Sequence, residues 1–273
     1  MKLSCLPVSF FNDITSGRMS VAEWAHMGAE LKLDAVDLSI LFLPDRTLEA
    51  AAVVRRQVEY AGSHVNMLTT YPDFTHPDPA QRARELDQEV QAVRLAAALG
   101  ARFIRVTAGQ AHPGTGIKDG ITWAAHGLCC LVEAAGNLGV QLAYENHAKP
   151  GAWEYTDFSQ PPEIFLEILS RVPSPLLGVN FDTGNATAFA PDPVAFLGQI
   201  VGRVVSVHAS DTSSVGQLNH VLLGTGVTPF QALFACLKSH GFDGWVCLEE
   251  ASNQGRRGVE TAATFIRRIW AEA

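Results

Sequence analysis

The segment Val140–His147, VQLAYENH, begins as a half-apolar extended run and ends on an acid, an amide and an imidazole in succession. It follows the helical stretch ITWAAHGLCCLVEAAGNLG, which stops at Gly139, so helix, glycine and strand meet with almost no linker. Side chains alternate along a strand, which puts Gln141, Ala143 and Glu145 on one face and Leu142 and Tyr144 on the other. A strand apolar on one face, with an acid closing the other, is suited to a site held at a strand end. Working outward, the same rhythm recurs. Short β-rich runs at residues 3–11, 34–43, 64–70, 102–109, 140–147, 176–185, 204–211 and 245–252 alternate with stretches of helical period. One such helix has Ser20 as its candidate N-cap. Another carries Leu86, Val90, Val93 and Ala97 at helical spacing and stops at Gly100.

Eight strands alternating with helices imply parallel pairing through right-handed crossovers. An open doubly wound sheet usually carries a glycine-rich phosphate turn after its first strand, and SFFNDITSGRM lacks one. The expected fold is therefore an α/β (β/α)8 TIM barrel spanning residues 1–273 as one domain, with polar residues gathered at the carboxyl ends of the strands. The 273 residues, 47% hydrophobic and 18% charged, suffice for one large core. A net charge of −8 gives no general attraction to nucleic acid. Five cysteines without a C-x-x-C spacing read as reduced thiols. No apolar run is long enough for a membrane span, and the N-terminus is too short in apolar residues for a signal sequence. The expectation is a soluble cytoplasmic protein, with no nucleic-acid or membrane partner, compatible with a homo-oligomer such as a dimer or tetramer.

The parity rule applied to the last four strands gives one inward acid or histidine each. Glu145 shares a face with Ala143, Asp182 with Asn180, His208 with Ser206, and Glu249 with Cys247. Three carboxylates converging without compensation repel one another, and a divalent cation resolves the conflict. Three carboxylate oxygens and one imidazole nitrogen suit Mn²⁺ or Mg²⁺, with Co²⁺ or Zn²⁺ tolerated. Arg105 is placed inward with Phe103 and Thr107, where it can bind a substrate carboxylate or form an ion pair.

The motifs YENH, LGVNFDTGN, VVSVHASD, HVLLGTGV and GFDGWVCLEE, all in the second half of the chain, resemble the xylose-isomerase-like TIM-barrel superfamily of sugar isomerases and epimerases, a fold shared with apurinic-endonuclease relatives. The resemblance implies one metal held by Glu145, Asp182, His208 and Glu249. Glu249 is preferred to Glu250 by strand parity and by the family spacing after Gly244. It further implies proton removal next to the carbonyl of a small sugar or cyclitol-like hydroxy-ketone through an enediolate, with Glu145 and Glu249 as the acid–base pair. Two positions depart from ketose 3-epimerases: Asn185 stands for a histidine and Ser214 for an arginine. Asn185 and Leu218, replacing a histidine and an aspartate of the trinuclear endonucleases, argue against a nuclease, although His220 is kept. His147, two residues after Glu145, is similar to the Glu-x-His pair of metal-dependent 3-dehydroshikimate dehydratases. A dehydratase of that or the inosose type is thus the alternative, and a non-catalytic sugar-binding protein is less expected. His147, Asn185, Asp211, His220 and Arg105 are the expected substrate contacts, Asp211 with the alternatives of supporting the site through hydrogen bonds or capping the loop that follows it; His112 can touch substrate, but a histidine in a Gly/Pro loop is more often just exposed. Residues 148–162, with Trp153, Tyr155 and Phe158, form a long loop of the kind that serves as a lid.

Overall fold

In the computed structural model, which describes all 273 residues, the β-branched and aromatic runs form ten strands. They are β1 (Lys2–Leu6), β2 (Val36–Ser39), β3 (Val65–Thr69), β4 (Phe103–Val106), β5 (Gln141–Glu145), β6 (Leu177–Asp182), β7 (Val204–Ala209), β8 (Thr212–Ser214), β9 (Gln217–His220) and β10 (Trp245–Glu249). Eight of them make one all-parallel sheet in the order β1-β10-β7-β6-β5-β4-β3-β2, with helices on its outer face. The sheet curls until its two edges meet. At that seam the Asp34 amide donates to the Leu3 carbonyl (2.8 Å), and its carboxylate accepts from the Leu3 amide (2.7 Å). This is a nearly closed (β/α)8 barrel. None of its helices is long and apolar enough to cross a membrane.

Local chemistry sets the helix limits. Ser20 and Glu23 form a reciprocal capping box that starts helix Val21–Glu30. Asp78 caps helix Pro79–Leu99, whose end is turned by Gly100 at φ 72°. Three segments differ from the sequence-based expectation. Pro7 ends β1 early, and Val8–Thr15 folds as short helical turns. β2 stops at Ser39, and Ile40–Phe42 is a 3-10 turn. β8 and β9 form an antiparallel hairpin that breaks the βα repeat after β7.

The two faces of each strand do different work. Leu142, Tyr144, Val179, Phe181, Val207, Val246 and Leu248 point outward into one continuous core beneath the helices. Inside, Ala35, Met67, Phe103, Ala143 and Trp245 pack as an apolar plug toward the amino ends of the strands. Above the plug the interior becomes polar. Asp37 is fully buried and accepts from the Ser4 hydroxyl (2.8 Å), the Asn66 amide (3.2 Å) and the Met67 backbone (3.1 Å). A dry floor and a polar upper layer are how such a barrel confines chemistry to its carboxyl end.

Candidate metal centre and substrate cleft

Glu145, Asp182, His208 and Glu249 lie at the carboxyl ends of β5, β6, β7 and β10, which are consecutive neighbours in the sheet. Each offers one ligand atom, and the four atoms lie within 4.8 Å of one another. Register explains the meeting: Asp182 is level with His208 across β6–β7, and His208 is level with Cys247 across β7–β10. Glu250, on the opposite parity, accepts hydrogen bonds from the Ser9 hydroxyl (2.5 Å) and the Ser252 amide (2.8 Å), tying down the chain after β10.

Every close polar contact of Glu145 falls on one oxygen. Its Oε2 accepts from Asn180 Nδ2 (2.8 Å) and lies 3.1 Å from Arg105 Nε and 3.2 Å from His208 Nδ1. Burial alone would raise this carboxyl, but Arg105 and His208 overcome it and bring it down to about 2. Asp182 behaves oppositely: burial and the charges of Glu249 and Glu145 push it well up. It also caps the helix that follows β6, accepting from the Asn185 amide (2.6 Å) and from the Ser210 hydroxyl (2.8 Å). Burial opposes charge on His208, yet Glu145 and Cys247 raise its pKa overall. Its Nδ1 lies 3.5 Å from Glu249 Oε2, and neither ring nitrogen has an aligned hydrogen-bond partner.

Crowded acids around an imidazole whose two nitrogens have no aligned partner make a donor set suited to a cation. The residues present fit a divalent ion. The donor set is too rich in oxygen for structural zinc, and the ion's identity is not fixed by these side chains.

Asn146, the residue after Glu145, binds the two strand ends together. Its amide donates to the Asp182 carbonyl and its oxygen accepts from the Asp182 amide, both at 2.9 Å. It thereby fixes the height of Asp182 relative to Glu145.

A cleft of 490 Å³ opens beside the four residues, lined by Arg105, His147, Asn185, His220 and Glu249 among others. Arg105 is buried, donates to the Thr70 carbonyl (2.8 Å) and lies over the Tyr71 ring at 4.6 Å. The His147 Nδ1 is buried without a partner, and burial lowers its pKa to about 4, so the ring is neutral at pH 7. The Asn185 Oδ1 is likewise unpartnered. His220 reaches the cleft from the exposed end of β9.

One expected contact is corrected: Asp211 caps the loop that follows it and does not meet substrate. It does not line the cleft: its Oδ1 accepts the amides of Thr212 and Thr228, and its Oδ2 those of Gly224 and Gly226, at 2.9–3.1 Å. It closes the loop after the hairpin and has no oxygen left for substrate. His112 also stays outside, with Nε2 2.7 Å from Asp73 Oδ2 and its ring between His76 and Tyr155. Residues 148–162 are pinned at their base, where Phe158 donates to Gly109 and Ala111 donates to Thr156, both at 2.8 Å. Only the tip, Lys149–Ala152, borders the cleft. Asn12, Tyr71 and Lys149 line it as well; all three lie outside the strands, where parity carries no signal.

The family model described as xylose isomerase-like TIM barrel matches residues 25–269. The chain belongs to that family. It is 26% identical over 233 residues to the putative L-ribulose-5-phosphate 3-epimerase SgbU of Escherichia coli, covering 84% of this chain and 78% of that protein. It is 23% identical over 141 residues to an inosose dehydratase of Clostridium beijerinckii, covering 46% and 45%. Apart from SgbU, the curated relatives matched are spanned over only 40% to 58% of their length. Among solved structures, the IOLI protein with a bound zinc atom superposes with a TM-score of 0.80 at 18% identity, covering 100% of this chain and 99% of that one. Its likeness establishes the fold. The curated relatives named for an activity are a putative epimerase and inosose dehydratases.

Proposed function

We propose that this protein is a metal-dependent isomerase or epimerase of a small sugar or cyclitol-like hydroxy-ketone, working with Mn²⁺ or Mg²⁺. The observation that carries the reading is the meeting of Glu145, Asp182, His208 and Glu249 beside a cleft that Glu249 lines. A divalent ion held there would polarise the substrate carbonyl and stabilise the negative charge that grows on its oxygen. The proton on the neighbouring carbon is left to the chain's own groups. Glu145 is suited to take it, because Arg105, His208 and Asn180 all engage Oε2 and leave Oε1 without a protein partner. Glu249 stands on β10, with β7 and β6 between it and β5, so it approaches from another side of the mouth. Removal by one glutamate and return by the other inverts the carbon; return by the same one does not. Asn185 and neutral His147 offer unpartnered atoms to the remaining hydroxyls.

The test is deuterium exchange from D₂O into the carbon beside the carbonyl, using metal-reconstituted protein and a panel of ketoses and cyclitol ketones. Glu145→Gln and Glu249→Gln are expected to lose about 10²- to 10⁴-fold in exchange while keeping the fold. Asp182→Asn and His208→Ala are expected to lose the metal, read by elemental analysis. Four variants with wild-type metal content and wild-type exchange would overturn the assignment.

His147 supports a second reading. The residue lines the cleft two residues after Glu145 and its Nδ1 has no protein partner, so the ring is suited to hold a hydroxyl that leaves as water after the same proton removal. Such a dehydratase, of the dehydroshikimate or inosose type, would yield a conjugated product with new ultraviolet absorbance. An isomerase or epimerase would not.

A further inference from the structure

The cleft has a neighbour that the chemistry above does not use. A second cavity of 410 Å³ lies between the turn after β2, the end of β3 and helix Pro79–Leu99. The two share Leu41, Tyr71 and Ala152, so they are immediate neighbours. Tyr71 is steadied by the Arg105 guanidinium over its ring and by the Ser39 hydroxyl 3.5 Å from its own. Trp153 lines the second cavity and also stands edge-on to His147 in the first, with ring centroids 6.4 Å apart.

The lining dictates what such a chamber accepts. Its charged and amide groups, Arg46, Glu85, Gln88, Glu89 and Gln91, are set in a lining whose larger part is apolar. Glu89 is buried, and the Thr70 hydroxyl donates to its Oε1, while no protein group bonds its Oε2. That second oxygen is open to a hydrogen bond from a ligand hydroxyl. Glu85 balances Arg46 in number, so the lining has no surplus positive charge with which to hold a phosphate. An apolar group would strip amides and carboxyls of water without replacing their hydrogen bonds. A neutral, hydroxylated ring meets both demands, since hydroxyls pair with carboxyl and amide groups and the ring's C–H face lies well on an aromatic side chain.

We propose that this chamber binds a second hydroxylated ring linked to the one that reacts in the cleft. The substrate is then a ketose-containing disaccharide or glycoside and not a free or phosphorylated monosaccharide. The proposal rests on the hydroxy-ketone reading of the cleft and deepens it.

Titration calorimetry of the Mn²⁺-reconstituted protein with lactulose, turanose and isomaltulose, against fructose, tests it. At least one disaccharide is expected to bind about ten-fold more tightly than fructose, or better. Gln91→Trp, at an exposed lining position, is expected to fill the chamber, erase that preference and leave fructose binding within about two-fold. Equal affinities, no disaccharide binding, or a preference that survives Gln91→Trp would each overturn the proposal. Metal content measured on the same samples separates the two ideas. Metal uptake without the preference removes the chamber alone. A preference sensitive to Gln91→Trp in protein that takes up no metal keeps the chamber and removes the catalytic reading.

Discussion

Glu145, at the end of β5, and Glu89, on helix Pro79–Leu99, are both almost entirely removed from water, at 1% and 6% exposure, yet they are driven in opposite directions. Burial raises both. At Glu145 it is overcome by Arg105 and His208, and the carboxyl falls to about 2. At Glu89 the Thr70 hydroxyl is the main opposing influence, Glu85 adds to the rise, and the carboxyl reaches about 7. Depth therefore decides neither charge state; the neighbours do. The mouth of the barrel holds fixed negative charge that a cation can neutralise. The side chamber holds an acid that stays largely protonated up to neutrality and can both donate and accept hydrogen bonds.

The largest expected effect comes from making Glu145 resemble Glu89. Arg105→Met removes the guanidinium 3.1 Å from Glu145 Oε2 and leaves a buried acid short of its cation. In metal-free protein at pH 7, urea unfolding is expected to show a loss of about 3–5 kcal/mol, the usual result of breaking a buried pair. Saturating Mn²⁺ is expected to recover part of it, because a bound cation replaces the missing charge. A loss below about 1 kcal/mol, no larger than for an exposed pair, would mean that Glu145 does not depend on Arg105.

How far these features are legible in the sequence depends on where the determining partner lies. Glu145, Asp182, His208 and Glu249 can be found because each closes the inward face of a strand, and the strands recur at roughly one βα unit. The barrel follows from the same repeat. Asn146 is opaque because its role depends on the height of β6 beside β5, which nothing within VQLAYENH encodes. Asp211 misleads for a related reason. It follows a strand end as the site residues do, but glycines and threonines up to 17 residues later claim its oxygens. The β8–β9 hairpin lacks alternating apolar residues and so has no strand signal. Tyr71 and the side chamber arise from a loop, a turn and a helix, and strand parity describes none of these.

A smaller effect is expected one layer beneath the mouth. Asp37, Cys247 and His208 bring ligand-type atoms within 4.8 Å of one another, and Asp37 is anchored by Ser4, Asn66 and the Met67 amide. With Nδ1 of His208 turned toward Glu145 and Glu249, Asp37 and Cys247 are placed to orient the imidazole from below. Asp37→Asn is expected to weaken Mn²⁺ binding about 10- to 100-fold, the range for partners that orient a metal-binding histidine. Unchanged affinity would show that the four residues of the mouth hold their arrangement without support from the layer below.

The smallest effect belongs to the chamber and is a dependence on pH. Glu89 keeps its proton up to about 7 in the folded protein, but the unfolded chain releases it near 4.5. Across that window the folded state binds more protons, so this residue's contribution is full below 4.5 and is lost as pH rises toward 7. Burial of His147 acts in reverse: its folded value of about 4 lies below the ordinary 6.5, so its contribution is full above 6.5 and is lost as pH falls toward 4. The two slopes overlap and oppose one another in the wild-type protein, and Asp157, raised to about 8 by burial, adds a third, so the total pH profile isolates none of them. Glu89→Gln isolates the Glu89 slope, because glutamine imitates the protonated acid at every pH. Its stability relative to wild type, from urea unfolding at pH 5, 6 and 7, is expected to rise by at most about 1.4 kcal/mol per pH unit. A flat difference would place Glu89 in the ionised state throughout, with charge compensation like that of Glu145, and the contrast between the two glutamates would vanish.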